Sequence, residues 1–120
     1  MMEAISTQTL YLLKNLKTKA MEYWIKDGEL LTWLDPNRRI QEVAITRGVI
    51  DADYNSQLGE WLVVRRDGTV ESLVGHLQTV DNVYSRDGLT VRWSGSNVVV
   101  RESDGRSRVY DHRGFLQTVL

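Results

Sequence analysis

The sequence has no cysteine, one proline and one phenylalanine in 120 residues. The absence of cysteine excludes disulfide bonds, thiolate catalysis and cysteine-ligated zinc sites. A single proline with 42% hydrophobic residues is typical of a chain that buries a core, and disordered chains are less apolar. The formal net charge is only −1 at pH 7, so the composition shows no overall basic surface for nucleic acid or for an anionic membrane.

Long apolar runs are also missing. No stretch approaches the roughly 20 residues needed to cross a bilayer, and the first 20 residues lack the basic and apolar regions of a secretory signal. We therefore expect a protein that is neither secreted nor inserted in a membrane. A chain of this length is predicted to form one domain over residues 1–120.

The amino-terminal part of the chain has the periodicity of an amphipathic helix over residues 5–26. Its predicted apolar face comprises Ile5, Leu12, Leu13, Leu16, Ala20, Tyr23 and Trp24. Ser6 or Thr7 could cap its start, and Gly28 is the predicted stop. Tyr11 and Ile25 turn toward the polar side of this helix, which makes them candidates for contact with a partner.

From residue 29 to residue 120 the apolar period changes to two, which indicates strands. The predicted strands are 29–34, 40–45, 60–66, 69–77, 89–93, 97–102, 106–111 and 115–120. The connections are too short for crossover helices, so the strands form an antiparallel meander. We predict an α+β fold in which the helix packs on a β-barrel or β-sandwich of about seven or eight strands. Gly68 and Gly88 are expected in tight turns with positive φ.

Two stretches of the strand region resemble each other. The sequences "VVRRDGTVESLVGHLQTV" (63–80) and "VVRESDGRSRVYDHRGFLQTV" (99–119) both contain a strand, an Asp-Gly turn, a second strand, a glycine and Leu-Gln-Thr-Val. Two copies are too few for a solenoid. A true repeat and convergent hairpin chemistry both explain the similarity, and either explanation is structural.

None of the motifs predicts catalysis. "DADYN" (51–55) opens like a calcium-binding EF-hand loop, but Ser56 and Leu62 replace the required glycine and glutamate. A loose divalent site on Asp51 and Asp53 is the weaker alternative. His76 and His112, the two histidines, are read as turn or surface residues. We therefore expect no catalytic residue, no metal and no cofactor, and the protein is not predicted to be an enzyme.

Arginines and aromatic residues alternate in the strand region, which raises the possibility of a surface for single-stranded nucleic acid. The residues concerned are Arg65, Arg66, Arg92, Arg101, Arg106 and Arg108 with Trp61, Trp93 and Tyr110. Alternation places Arg92 and Trp93 on opposite faces, and acidic residues are interspersed. We do not expect nucleic acid binding.

Residues 46–59 form the longest connection without a firm strand assignment. Exposed loops on rigid sheets often carry binding residues. The candidate partner-binding residues of this connection are Arg47, Asp51, Asp53, Tyr54 and Asn55. The alternative is a wide hairpin in which Val49 and Ile50 continue a strand.

The segment "AITRGVIDADYN" (44–55), the helix-first layout, the compact barrel and the length together resemble the small head-tail joining proteins of tailed bacteriophages. The resemblance implies a non-catalytic virion component that forms a homo-oligomeric ring and contacts neighbouring virion proteins. It would lie in the virion or the host cytoplasm. The repeated LQTV endings depart from that pattern, and a tail or decoration protein fits equally. The alternative function is a monomeric binding module that inhibits or regulates a host protein.

Overall fold

A computed structural model describes residues 21–120, which form eleven β-strands and no helix. The strands are β1 (Tyr23–Lys26), β2 (Glu29–Trp33), β3 (Glu42–Arg47), β4 (Val49–Asn55), β5 (Glu60–Arg65), β6 (Val70–Val74), β7 (Thr79–Ser85), β8 (Gly88–Ser94), β9 (Asn97–Glu102), β10 (Ser107–Tyr110) and β11 (Leu116–Val119). Within this described part, no helix has the length and hydrophobicity needed to cross a membrane.

The predicted α+β class is wrong, because the described chain is all-β. Residues 5–20 of the predicted helix lie outside the described residues, but its last four residues form β1 and pair with β2. The reason is the dipeptide Asp27–Gly28, in which both residues have positive φ, at 53° and 77°. Positive φ at both central positions defines the two-residue hairpin turn that Asp-Gly favours. Gly28 therefore closes a hairpin instead of ending a helix.

The strands form three antiparallel sheets, each a meander in chain order. The first sheet contains β1–β3, the central sheet β4–β7 and the third sheet β8–β11. The antiparallel pairing agrees with the predicted meander. Each sheet is open, with an edge strand at either side, so the described strands do not form the barrel of the predicted barrel-or-sandwich alternatives. They number eleven instead of the predicted seven or eight.

The three sheets stack as layers with the central sheet in the middle. Strand β5 shows this directly, because its side chains are buried on both faces. Leu62 and Val64 pack toward the third sheet, whereas Trp61 and Val63 pack toward the first. Each fully buried Val or Leu contributes about 1.5–3 kcal/mol through removal from water. The run "WLVV" (61–64) is apolar without interruption because alternate residues of the strand enter the two different cores.

One core lies between the central and third sheets and comprises Leu62, Val64, Val70, Tyr84, Val91, Val98, Val100 and Tyr110. The other lies between the first and central sheets and comprises Leu30, Val49, Trp61, Val63 and Leu73. A strand that contacts one core needs apolar residues only at alternate positions, whereas a strand that contacts both cores, such as β5, is apolar on both faces.

The similar stretches 63–80 and 99–119 occupy equivalent places in two stacked sheets. The first runs from β5 to β7, and the second runs from β9 to β11. Each reaches its edge strand through a glycine with positive φ, Gly75 in one and Gly114 in the other. The similarity therefore corresponds to the same three-strand unit used twice.

Gly88 differs from the prediction of a tight turn with positive φ. Gly68 does have positive φ, at 92°, but Gly88 does not and is the first residue of β8. A Cβ at Gly88 would collide with the side chain of Val70 and lie 3.3 Å from Val100 Cγ1. Glycine is needed there because two sheets approach closely.

Candidate functional site

The predicted partner-binding segment 46–59 is mostly a strand. Residues 49–55 form β4 and pair with β5, so the loop prediction is wrong and the strand alternative through Val49 and Ile50 is correct. Only residues 56–59 form a turn. Whether the residues of this segment contact a partner stays a prediction.

Two of the predicted residues, Asp51 and Asp53, connect the central sheet to the third sheet. The Oδ2 atom of Asp51 accepts a hydrogen bond from Val91 N at 2.9 Å, and the Oδ2 atom of Asp53 accepts one from Trp93 N at 2.7 Å. Both donors belong to β8, the edge strand of the third sheet. The two carboxylates thus satisfy backbone groups that would otherwise be free at an edge.

The environment of these carboxylates shifts the pKa values of nearby groups. Burial raises the pKa of Asp51 above its usual value, although the hydrogen bond from Val91 N opposes the shift. Burial also raises the pKa of Tyr23 to about 12, with the Asp53 carboxylate adding to the effect. The Tyr23 hydroxyl donates to Asp53 Oδ1 at 3.0 Å. Both shifts follow first from the burial of these groups at the contacts that hold the sheets together.

Asn55 lies on the same face of β4 as Asp51 and Asp53 and also contacts the third sheet, whereas Tyr54 lies on the opposite face. Asn55 accepts hydrogen bonds from Gln57 N and Leu58 N and donates to Gly95 O at 2.9 Å. Tyr54 packs on Trp61, with ring centroids 4.7 Å apart.

Arg47 is exposed and pairs with Glu29 at 2.7 Å. Ile25 lies on β1 and is 36% exposed. Tyr11 lies outside the described residues. Of the predicted set, Asp51, Asp53 and Asn55 are therefore brought together against the third sheet.

The opposite side of the stack carries a surface that the sequence analysis missed. Strands β7 and β11 are the edge strands of the central and third sheets there. The β10–β11 turn lies against β7, because Asn82 Nδ2 and the Tyr84 hydroxyl both donate to the His112 backbone oxygen. Exposed apolar side chains on this side, which we call the β7–β11 flank, are Leu77, Val80, Val83, Phe115, Leu116, Val119 and Leu120.

The sequence pattern did not predict the exposure of this flank. The two LQTV segments look like half-buried strands, but all four residues of β11 are exposed. The available signal was that Leu116 and Val119, three residues apart in a strand, must point to opposite faces. An edge strand that is apolar on both faces is a candidate for pairing with another chain.

A second feature is a cluster of three side chains that could ligate a metal ion. Within residues 21–120, Glu60, Asp81 and His112 form the one group of acidic and histidine side chains whose ligand atoms lie close enough, all within 4.8 Å of one another. His112 Nε2 lies 3.0 Å and 3.1 Å from the two carboxylate oxygens of Glu60. Asp51 and Asp53, the alternative ion site from the sequence, belong to no such group.

Three different elements place this cluster. Glu60 begins β5, and Asp81 is the extra residue of a β-bulge in β7, opposite Ser72 and Leu73 of β6. His112 lies in the turn between β10 and β11, and its ring is 6.2 Å from that of Trp93. A bulge changes the direction of a side chain compared with a regular strand, and Asp81 is the residue affected here.

The outer face of the third sheet holds a shallow depression of about 220 Å³. Thr90, Arg92, Val99, Arg101 and Ser107 line it, so it presents two guanidinium groups over a small apolar base. Ligand pockets usually enclose about 300–1,000 Å³. The depression is therefore small for a substrate site.

The aromatic residues considered for nucleic acid stacking lie mostly in the interior. Trp61 is 3% exposed and Tyr110 is 9% exposed. Arg65 pairs with Glu71, and Arg108 pairs with Glu102. These four side chains are not available for stacking on bases or for binding phosphates.

Comparison with known proteins gives no family for the chain. No protein-family model matches the sequence, and no curated protein matches it either.

Proposed function

We propose that the protein is a non-enzymatic assembly protein whose chains associate through the β7–β11 flank. The observation that carries the proposal is the difference between the two sides of the stack. On one side Asp51 and Asp53 occupy the backbone donors of β8. On the other side β7 and β11 carry four exposed apolar side chains, Val80, Val83, Leu116 and Val119, whereas β4 and β8 carry two, Ile50 and Leu89.

The flank offers two sources of binding free energy. Edge strands present backbone donors and acceptors that can pair with a further strand, which is a common mode of protein recognition. The apolar side chains add to this, since removing apolar surface from water contributes about 25 cal/mol per Å². Phe115 and Leu77 are 64% and 77% exposed, so most of their surface is available for burial.

The partner that we propose is a second copy of the chain, because the resemblance to head-tail joining proteins implies a homo-oligomer and the edge strands β7 and β11 offer positions for a further strand. If the flank meets a different surface of the next copy, the rotation between copies can close into a ring. If flank meets flank, the product is a two-fold dimer. We favour the ring.

A bacteriophage particle is the setting that we propose, as a head-tail connector, neck or tail protein beside other virion proteins. This part of the proposal rests on the sequence resemblance alone. The open stack of three sheets differs from the compact barrel in that resemblance, so the layout adds no support.

Sedimentation velocity of the purified full chain tests the proposal. We expect a concentration-dependent oligomer for the wild type and a monomer for Leu116→Lys, because a charge on the edge strand opposes pairing. The matched control is Ile40→Lys, since Ile40 is 75% exposed but lies between β2 and β3, far from the flank in sequence. A monomeric wild type, or equal effects of the two substitutions, would contradict the proposal.

The second candidate function is a monomeric module that binds and inhibits a host protein. The depression on the third sheet favours it, because within residues 21–120 neither Arg92 nor Arg101 forms an ion pair. Two free guanidinium groups suit an acidic surface on a partner. A wild type that remains monomeric at all concentrations would favour this candidate.

A further inference from the structure

We propose that Glu60, Asp81 and His112 form a binding site for a divalent transition-metal ion. The site would join the central sheet, which supplies both carboxylates, to the β10–β11 turn of the third sheet, which supplies the imidazole. The site lies beside the β7–β11 flank, since Asp81 belongs to β7, but it needs no second copy of the chain and goes beyond the proposed assembly function.

The geometry needs only a small adjustment to hold an ion. Zinc binds histidine nitrogen and carboxylate oxygen at about 2.0–2.2 Å, so two donors on one tetrahedral ion lie about 3.4 Å apart. Glu60 and His112 are already at 3.0 Å and 3.1 Å. The third donor, on Asp81, lies within 4.8 Å of the others. Asp81 is exposed, so rotation of its side chain can close the remaining distance.

The backbone of His112 is fixed more firmly than an exposed turn residue would be. Its carbonyl oxygen accepts hydrogen bonds from the Tyr84 hydroxyl at 2.9 Å and from Asn82 Nδ2 at 3.3 Å. Asn82 follows Asp81 directly, so the strand that carries one ligand also holds the turn that carries another. These hydrogen bonds hold the backbone that carries the imidazole against β7.

The charges of the cluster favour a cation. Within residues 21–120, no lysine or arginine pairs with Glu60 or Asp81, and His112 is the one basic group in contact with them. Even with a protonated imidazole the three groups carry a net charge of −1, and a divalent ion would compensate both carboxylates. Burial strengthens this preference, because the Glu60 side chain is only 12% exposed.

The ligand set also selects the class of ion. One imidazole nitrogen with two carboxylate oxygens suits Zn²⁺ and its neighbours in the transition series, whereas Ca²⁺ and Mg²⁺ prefer sites made of oxygen alone. Three protein ligands leave at least one coordination position for water or for a group from another molecule. Zinc chloride is therefore the appropriate probe.

Isothermal titration of the metal-stripped full chain, without an affinity tag, tests the site. We expect one equivalent of Zn²⁺ to bind with micromolar or tighter affinity and to raise the thermal midpoint. Asp81→Asn should weaken binding at least about tenfold, since loss of even an outer-shell partner costs about 10–100-fold. Asp81→Asn is the decisive variant, because it leaves the Glu60–His112 pair intact and changes an exposed residue.

Two further variants complete the test. His112→Ala should abolish binding, and His76→Ala should leave it unchanged, because His76 is an exposed histidine outside the cluster. Absence of zinc binding by the wild type would overturn the proposal, and so would equal zinc affinities of wild type and Asp81→Asn. Preference for Ca²⁺ or Mg²⁺ over Zn²⁺ would overturn the assigned class of ion.

Discussion

Replacing Asp53 with alanine should lower the free energy of unfolding by about 3 kcal/mol. The Asp53 carboxylate accepts hydrogen bonds from Trp93 N at 2.7 Å and from the Tyr23 hydroxyl at 3.0 Å. A hydrogen bond to a charged group contributes about 1.5–3 kcal/mol. We take the lower end for both, because the two contacts are only partly buried. The alanine variant would leave the Trp93 amide at the edge of the third sheet without an acceptor.

Urea denaturation, followed by tryptophan fluorescence, measures this loss. Glu42→Ala is the matched control, because Glu42 is an exposed acid on β3 whose side chain forms no hydrogen bond or ion pair with the described residues. The control should change stability by no more than about 0.5 kcal/mol. Equal denaturation midpoints for the two variants would refute the role of Asp53 in joining the central and third sheets.

Three other substitutions test separate contacts. Burial raises the pKa of Asp51, so the folded state holds that proton more tightly and wild-type stability falls as pH rises through the Asp51 titration. Asp51→Asn keeps an acceptor for Val91 N but has no carboxyl group to titrate. Its urea midpoint should therefore fall less than that of the wild type as the pH rises through the Asp51 titration. Identical pH profiles of the two proteins would contradict a destabilising charge on Asp51. The pKa of Tyr23 is raised from 10.0 to about 12, so its stabilising contribution is complete below pH 10 and is lost toward pH 12. The stability gap between wild type and Tyr23→Phe should therefore shrink over that interval, and a constant gap would contradict the Asp53 contact. Gly88→Ala should cost about 1–3 kcal/mol through overpacking against Val70. The double variant Gly88→Ala/Val70→Ala should lose less stability than the sum of the two single variants. If the two losses simply add, Val70 is not the residue with which the new methyl group collides.

The sequence predicted the hairpins well where local chemistry decides them. Asp67–Gly68 connects β5 and β6, and the strands flanking residues 94–96 pair as β8 and β9. The same chemistry explains the main error at β1. Asp27–Gly28 is also a hairpin signal, but the helical spacing of the apolar residues before it dominated the interpretation. Tyr23, Trp24 and Ile25 are typical of strands, and pairing with β2 decides their conformation.

The cluster of Glu60, Asp81 and His112 could not be predicted from the sequence, because the stacking of the sheets brings its residues together. Glu60 and His112 are 52 residues apart in the chain, so no local spacing connects them. Asp81 joins them only because a bulge in β7 changes which way its side chain points. The acidic residues at 51 and 53 were visible in the sequence, but their role as acceptors for β8 depends on the position of the third sheet.

Hydrogen exchange measured over a range of protein concentrations tests the proposed assembly most directly. If copies of the chain associate through the β7–β11 flank, amides in Leu116–Val119 and Thr79–Ser85 should exchange more slowly as concentration rises. Amides in Val49–Asn55, on the side closed by Asp51 and Asp53, should not change. Exchange at β7 and β11 that is independent of concentration, or protection that appears at β4 instead, would contradict assembly through this flank.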